Sequence, residues 1–363
     1  MNILVVVGTR PEIIKMAPVV KLLNEKCLDF MFVHTGQHYD YEMSVSFIKE
    51  LSLPNPNITF ELSNSRPASQ IAEMIFKLEN SLDLLDGKAY IMLIEGDTNT
   101  ILAAAIAAIK MRIKIGHVEA GLRSFDWRMP EEHNRRMVDH VSDYLFAPTN
   151  VSKSNLENEH VWGKIFVTGN TIIDAIDIYF DKVKEIESKV MEQIRFHEYA
   201  LLTFHRSENV DDPYTLKNFI KILENSPLPI VFPIHPRTKR RLIENNLMKH
   251  IESLKNVQLL PPQAYFEFLT LMKNSKIIMT DSGGLQEEAT HPKIRKPLLV
   301  LRTSTERPEA VQAGFAKVVG ISPKAVLSEL ENLLNNRVNL PTSSPFGDGK
   351  ASERIIDIIL SNL

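Results

Sequence analysis

The sequence predicts an α/β protein built from two doubly wound, Rossmann-like domains facing a central cleft, and three observations predict it. Short apolar runs rich in Val, Ile and Leu recur along the chain, each followed by a polar cluster and then by a stretch of helical periodicity, the pattern of repeated βα units. The runs lack polar alternation, which marks strands covered on both faces and therefore parallel sheets. At 363 residues the chain holds two domains of roughly 150 residues with an element to spare.

The first set of runs is 3–7, 30–33, 90–94, 113–116, 144–147 and 165–168, and the second is 200–204, 230–234, 257–260, 277–280, 297–301 and 317–319. One sheet of that many strands would be unusual, and the charged, helical stretch 177–197 separates the sets, so two similar sheets are the simpler solution. Residues 1–170 then form the first domain and 171–350 the second, with a linker, Pro341-Thr342-Ser343-Ser344-Pro345, ahead of a terminal helix over 351–363. The opening Met1-Asn2 and five apolar residues lack the length and basic start of a secretory leader and predict a strand. The most apolar segment, 101–109, falls well below the ~20 residues that cross a bilayer. It predicts an Ala-rich buried helix, packed in a core or at a subunit interface.

Composition narrows the function. Forty-two basic against 45 acidic residues leave a net charge of −3, without the positive balance of a nucleic-acid-binding domain. The single cysteine, Cys27, makes neither an internal disulfide nor a four-cysteine zinc site, so the chain reads as cytoplasmic. No metal site is expected: His34 and His38 flank Gly36 in a loop, and a His-Glu-x-x-His helix is absent.

In doubly wound domains ligands bind beyond the carboxyl ends of the strands, so the polar clusters there hold the candidates. After the first strand, Gly8-Thr9-Arg10-Pro11-Glu12 starts a helix that carries Lys15; the helix start attracts an anion and Arg10 and Lys15 add charge, although solvated basic residues on a capped helix would read the same. Asp281-Ser282-Gly283-Gly284 leads into Leu285-Gln286-Glu287-Glu288, where small residues allow close backbone approach to a phosphate and Glu288 could accept from ribose hydroxyls; a plain strand-to-helix turn is the alternative. Glu95-Gly96-Asp97-Thr98, the run His117 to Arg123 and Pro130-Glu131-Glu132 supply carboxylates at neighbouring strand ends, suited to proton chemistry or, more blandly, to helix capping. His205-Arg206, His235-Pro236, Arg302 and Glu306-Arg307-Pro308-Glu309 predict a basic second-domain wall opposite an acidic first-domain one. The dinucleotide fingerprint, the Walker A loop and the Gly-x-Ser-x-Gly elbow are missing.

Taken together, these motifs closely resemble the non-hydrolysing UDP-N-acetylglucosamine 2-epimerases, from Gly8-Thr9-Arg10-Pro11-Glu12 through Gly96-Asp97-Thr98, Thr168-Gly169-Asn170 and Asp281 to Ala289, ending at Gly347-Asp348-Gly349. The resemblance implies the two-domain glycosyltransferase-B (GT-B) fold, a homodimer, no cofactor, a UDP-sugar substrate and a terminal helix returning to the first domain. It implies Asp97, Glu119 and Glu131 as acid/base residues, with His205 near the diphosphate and sugar. Arg10, Lys15, Ser282, Gly283, Gly284, Glu288, Gln263, Phe268 and Arg307 are implied as substrate contacts. One departure stands out. Bacterial members bind a second substrate molecule as activator partly through a glutamine-containing loop, whereas here Gln37-His38 is followed by Tyr39-Asp40-Tyr41-Glu42-Met43-Ser44-Val45-Ser46.

The implied chemistry agrees with the inventory of residues. The C2 hydrogen of the sugar is not next to a carbonyl, so it must be activated, either by transient oxidation, for which no nicotinamide fingerprint exists, or by departure of UDP from C1. Loss of UDP acidifies C2–H, gives 2-acetamidoglucal, and calls for cationic donors on the diphosphate and carboxylates around C1 and C2. The alternatives are a 2-epimerase of a related UDP-diacetamido-glucuronate, a GT-B glycosyltransferase, a hydrolysing epimerase and a non-catalytic UDP-sugar-binding regulator.

Overall fold

The computed structural model of the protein describes residues 2–37, 47–82, 89–336 and 338–362. The activator-loop departure at 39–46, with His38, lies outside the described residues. Two compact units are present: Met1–Ile178 with Phe346–Leu363, and Tyr179–Pro345.

The first unit holds β1 (Asn2–Val7), β2 (Phe30–His34), β3 (Ile58–Thr59), β4 (Ala89–Glu95), β5 (Lys114–Val118), β6 (Tyr144–Ala147) and β7 (Lys164–Val167). They form a parallel sheet in the order β3-β2-β1-β4-β5-β6-β7. Its helices are α1 (Arg10–Glu25), α2 (Pro67–Leu82), α3 (Asn99–Lys110), α4 (Pro130–Asp139), α5 (Asn150–Asn158) and the start of α6 (Thr171–Met191). Leu4, Val6, Met92 and Ile94 share one core cluster with Leu78 of α2 and Ile101 and Leu102 of α3. The alternate residues Ile3, Val5 and Val7 are equally buried. Covering both faces is why these strands read as unbroken apolar runs, at about 1.5–3 kcal/mol per buried side chain. Helix α3 is the Ala-rich segment, and α2 and α4 cover it inside the unit. Strand β3 is too short to announce itself in sequence; it adds to the sheet edge through Val33 and His34 of β2.

The second unit repeats the plan with β8 (Ala200–Thr203), β9 (Ile230–Pro233), β10 (Val257–Leu260), β11 (Ile277–Thr280), β12 (Leu298–Val300) and β13 (Ala316–Val318), in the order β10-β9-β8-β11-β12-β13. Around it lie α7 (Ser207–Val210), α8 (Pro213–Asn225), α9 (Pro236–Glu244), α10 (Met248–Ser253), α11 (Tyr265–Asn274), α12 (Gly284–Glu288), α13 (Pro308–Gln312) and α14 (Pro323–Asn335). Its core includes Phe204, stacked on Phe219 at 4.1 Å between ring centroids, and Phe232. Proline opens α4, α8, α9, α13 and α14, and Pro11 sits in the first turn of α1. There its missing N–H costs nothing and its fixed φ suits the helix.

The expected boundary between residues 170 and 171 marks the start of α6, whereas the compact units divide inside that helix, between Ile178 and Tyr179. Ile172, Ile173 and Ile176 are buried, while Tyr179 packs on Phe266 of the second unit. The terminal helix α15 (Ala351–Ser361) belongs to the first unit and packs on α1. Buried Asp174, in the first turn of α6, accepts from the amides of Ala351 (3.1 Å) and Ser352 (2.9 Å) and from the Ser352 hydroxyl (2.8 Å). Among the described residues no helix is long and apolar enough to cross a membrane.

Asp174→Ala should strip the cap from α15 and leave buried donors unpaired, lowering stability by about 1–2 kcal/mol in urea denaturation. Asp174→Asn, which keeps an acceptor oxygen, should cost less. An unchanged midpoint in the alanine variant would mean that the cap does not anchor the helix.

Candidate active site

In each sheet the strand order reverses once, between β1 and β4 in the first unit and between β8 and β11 in the second. The connections leave on opposite sides at that point and open a crevice at the strand carboxyl ends. The residues there are Gly8 to Glu12 and Glu95 to Thr98 in one unit, His205-Arg206 and Asp281 to Gly284 in the other.

At the first crevice the Lys15 side chain, 10% exposed, places its ammonium 3.2 Å from Glu95 Oε1 and in direct contact with Glu119 Oε2. Asn170 donates from Nδ2 to the same Glu119 oxygen at 2.7 Å. An ammonium so far from water would cost several kcal/mol without such partners. Glu119 has φ +68°, in the left-handed region that a side chain rarely adopts. That conformation costs on the order of 1–3 kcal/mol, and it turns the carboxylate at the end of β5. Two residues on, Gly121 has φ +86°, and a Cβ there would lie 2.3 Å from the Ser152 carbonyl oxygen.

Asp97 follows β4, and its Oδ2 receives Nη2 (2.6 Å) and Nε (2.9 Å) of Arg135 on α4. Asn134 donates to the Asp97 carbonyl at 2.8 Å. Glu131 is half-buried in the first turn of α4. Its neighbour Glu132 is fully buried and accepts from the Ser124 amide and hydroxyl, both at 2.9 Å, and from Arg135 at 3.0 Å. Burial opposes ionisation of Glu132, but the Ser124 and Arg135 contacts outweigh it and hold its carboxyl below the usual range. His117 and Arg123 are structural: both bind buried Asp139, at 2.7 and 2.8 Å. His117 Nε2 faces the Gly96 carbonyl oxygen at 2.9 Å and so donates to it, fixing the turn that carries Asp97. Arg10 lies over the Phe47 ring, 4.5 Å from its centroid.

At the second crevice the buried Asp281 carboxylate accepts from the amides of His205 and Arg206, both at 2.8 Å, and from Asn209 at 3.1 Å, and lies 3.2 Å from His205 Nδ1. His205 packs against His235, which accepts from the Arg237 amide at the start of α9. Burial lowers the pKa of both imidazoles, Asp281 opposing in each case, so both favour the neutral ring near pH 7. The basic wall expected here alternates with buried acids. Glu306 binds Arg302 at 2.8 Å and lies 3.8 Å from Arg307 and 3.9 Å from Arg206, while Arg307 binds Glu287 at 2.5 Å. Ser282 donates its amide to Thr280 Oγ1, and open space lies where a Cβ on Gly284 would stand. Gly283 is closed in: a Cβ there would lie 2.2 Å from Glu306 Oε1. Glu288 is buried on α12, Phe268 is half-buried on α11, and Gln263 donates to the Pro261 carbonyl at 2.8 Å.

Sequence reasoning quoted Glu12, Glu95, Asn170 and Asp281 within its motifs but gave none of them, nor Arg135, a role of its own. Glu12 is buried with Oε2 accepting from the Gly8 amide (2.6 Å) and the Thr9 amide (3.1 Å), while Thr98 donates to Oε1. Burial, against those bonds, pushes its carboxyl up to about 7. Burial also raises Glu95 well above the carboxylate range; Lys15 opposes this, and Glu119 and Glu12 add to it. The available signal was position, since Glu95 ends β4 and Asn170 lies between β7 and α6, but nothing in their spacing says what they touch.

Comparison with known proteins gives a consistent answer. A family model described as UDP-N-acetylglucosamine 2-epimerase matches residues 21–360. The UDP-N-acetylglucosamine 2-epimerase of Methanocaldococcus jannaschii is 43% identical over 370 residues, spanning 99% of each chain. A crystal structure of the UDP-GlcNAc 2-epimerase of that organism, in complex with UDP-GlcNAc and UDP, superposes with a TM-score of 0.91 at 42% identity, over 99% of this chain and 100% of that one. The UDP-2,3-diacetamido-2,3-dideoxy-D-glucuronate 2-epimerase of Pseudomonas aeruginosa is 35% identical over 366 residues, again spanning 99% of each chain.

A carboxyl with a raised folded pKa binds its proton more tightly folded than unfolded. Its contribution to stability is therefore full below about pH 4.5 and is lost as pH rises through about 7. Glu12→Gln cannot lose a proton, so the stability difference between variant and wild type should move in the variant's favour by on the order of 3 kcal/mol between about pH 4.5 and 8. Urea denaturation at both pH values measures it; a pH-independent difference would place the Glu12 titration elsewhere.

Proposed function

Because the chain belongs to the UDP-N-acetylglucosamine 2-epimerase family, an isomerase family, we propose that it interconverts UDP-N-acetylglucosamine and UDP-N-acetylmannosamine by elimination and re-addition of UDP. The C1–O bond breaks with its electron pair leaving on the diphosphate, a carboxylate takes the C2 proton, and the C1–C2 double bond of 2-acetamidoglucal forms. A proton then returns to C2 from the opposite face, and the diphosphate oxygen attacks C1 again.

The observation that carries this reading is the first crevice. Asp97 and Glu119 follow adjacent strands, each oriented by a cation, Arg135 or Lys15. Asp97, Glu119 and half-buried Glu131 are proposed as the groups that move the proton. In the second unit Ser282, Gly283 and Gly284 are proposed for the diphosphate, with His205 as a neutral donor and Arg307 as a charge on that side. Glu288 is proposed for the ribose, and Gln263 and Phe268 for the uridine. Arg10 and Lys15 are proposed as the cations of the first unit that face the substrate. Epimerisation of a UDP-diacetamido-glucuronate is a second reading, favoured by the Pseudomonas aeruginosa relative. We also propose a homodimer, for which Phe76, 63% exposed on α2, is a candidate contact, and a cytoplasmic location, where nucleotide sugars are made.

In deuterium oxide, proton NMR of UDP-N-acetylglucosamine with the enzyme and no nicotinamide should yield the manno epimer carrying deuterium at C2. Free sugar as first product, transfer to an acceptor, or activity only on the diacetamido-uronate would reject the main reading. Glu119→Gln should cut the exchange rate ~10²–10⁴-fold while UDP affinity, read by calorimetry, changes little.

A further inference from the structure

We propose that Glu95, which nothing above assigns to the reaction, is a positioning residue: it shares the Lys15 ammonium with Glu119, and by holding or releasing its own proton it sets how tightly Lys15 grips the Glu119 carboxylate. The proposal deepens the epimerase reading and rests on it.

The geometry is a buried chain of charges. Glu95 ends β4 at 2% exposure, with Oε1 3.2 Å from Lys15 Nζ. That oxygen has an ionic contact and no hydrogen bond among the described residues. Glu119 is better satisfied, with Lys15 and Asn170 on the same oxygen. One ammonium thus serves a pair of carboxylates, and it leans toward Glu119. With both acids ionised the group carries a net negative charge away from water; with Glu95 protonated it is neutral, the state that burial favours. Among the described residues, the charged groups that act most strongly on Glu95 are Lys15 and Glu12 from α1 and Glu119 from the turn after β5, and its position well above the usual carboxylate range accords with that arrangement. Asn170, ahead of α6, adds only a neutral amide.

The consequence for Glu119 has a definite sign. While Glu95 is neutral, Lys15 is committed to Glu119 and makes it a weak base. Once Glu95 ionises, it draws on Lys15, and Glu119 becomes a stronger proton acceptor. Competence to remove the C2 proton therefore rises with pH across the Glu95 titration.

Glu95→Gln fixes the neutral state. The ratio of wild-type to variant kcat for C2 deuterium exchange should climb about tenfold or more from the acid to the alkaline side of the Glu95 titration, with KM changing less than about threefold, and Glu95→Asp should restore the climb. Titrations that are not coupled to Glu95 cancel in the ratio. A flat ratio, the mark of a merely structural role, overturns the proposal. A wild type inactive on every UDP-sugar offered would instead defeat the epimerase reading. A second measurement covers that case and a Glu95→Gln that fails to fold. In protein labelled with ¹³C at the glutamate carboxyl carbon, the Glu95 resonance is the one absent from Glu95→Asp. Its titration midpoint should fall by about one unit or more in Glu119→Gln, where the neighbouring negative charge is gone and Glu119 no longer draws on Lys15. An unmoved midpoint overturns the shared ammonium.

Discussion

The Lys15 ammonium, packed among carboxylates and nearly out of reach of water, is the interaction on which the first unit's strand ends depend. A charge in that position is tolerable only with acids against it, and acids in that position are tolerable only with the charge. Lys15 comes from α1, Glu95 from β4 and Glu119 from the turn after β5, so the requirement ties three consecutive pieces of the sheet to one point. It also gives a reason for the left-handed backbone at Glu119, a strained turn retained where it delivers a carboxylate to its partner.

The two sheets solve a related problem with different chemistry. In the first unit the Lys15 ammonium sits between two acids, Glu95 and Glu119, whereas in the second Arg206, Arg302 and Arg307 are interleaved with Glu287 and Glu306. Those arginines are held rigid by buried partners, and guanidinium groups suit such pairing because their planar fork presents several donors in fixed directions. Asp281 plays the matching backbone role, gathering the amides of His205 and Arg206 from the neighbouring strand end and so fixing where the imidazole stands.

The strands were legible because burial on both faces leaves an unmistakable mark: every apolar run named from the sequence became a strand of one of the two parallel sheets. Strand β3 escaped because so short an edge segment needs no such run, and the division inside α6 escaped because a helix crossing from one core to another changes nothing in its own periodicity. For the site, the sequence identified the right strand ends and little of the wiring. Glu119 meets Lys15 across 104 positions and Asn170 across 51, and no spacing rule connects residues that far apart. Glu95 and Glu12 were hidden for another reason: a carboxylate beside a glycine turn reads as a cap, and only its burial distinguishes it.

Helix α15 gives the first unit a split sequence. Residues 346–363 return to a body otherwise finished by residue 178, with the whole of the second unit between them. On the ribosome, the Asp174 carboxylate is made long before the Ser352 amide and hydroxyl that it accepts from. The first body thus emerges with one flank of α1 bare and stays so until residues 351–361 follow, whereas the second body is contiguous and has all its strands beforehand. A segment made after the whole of the second body closes the flank of the helix that opened the first.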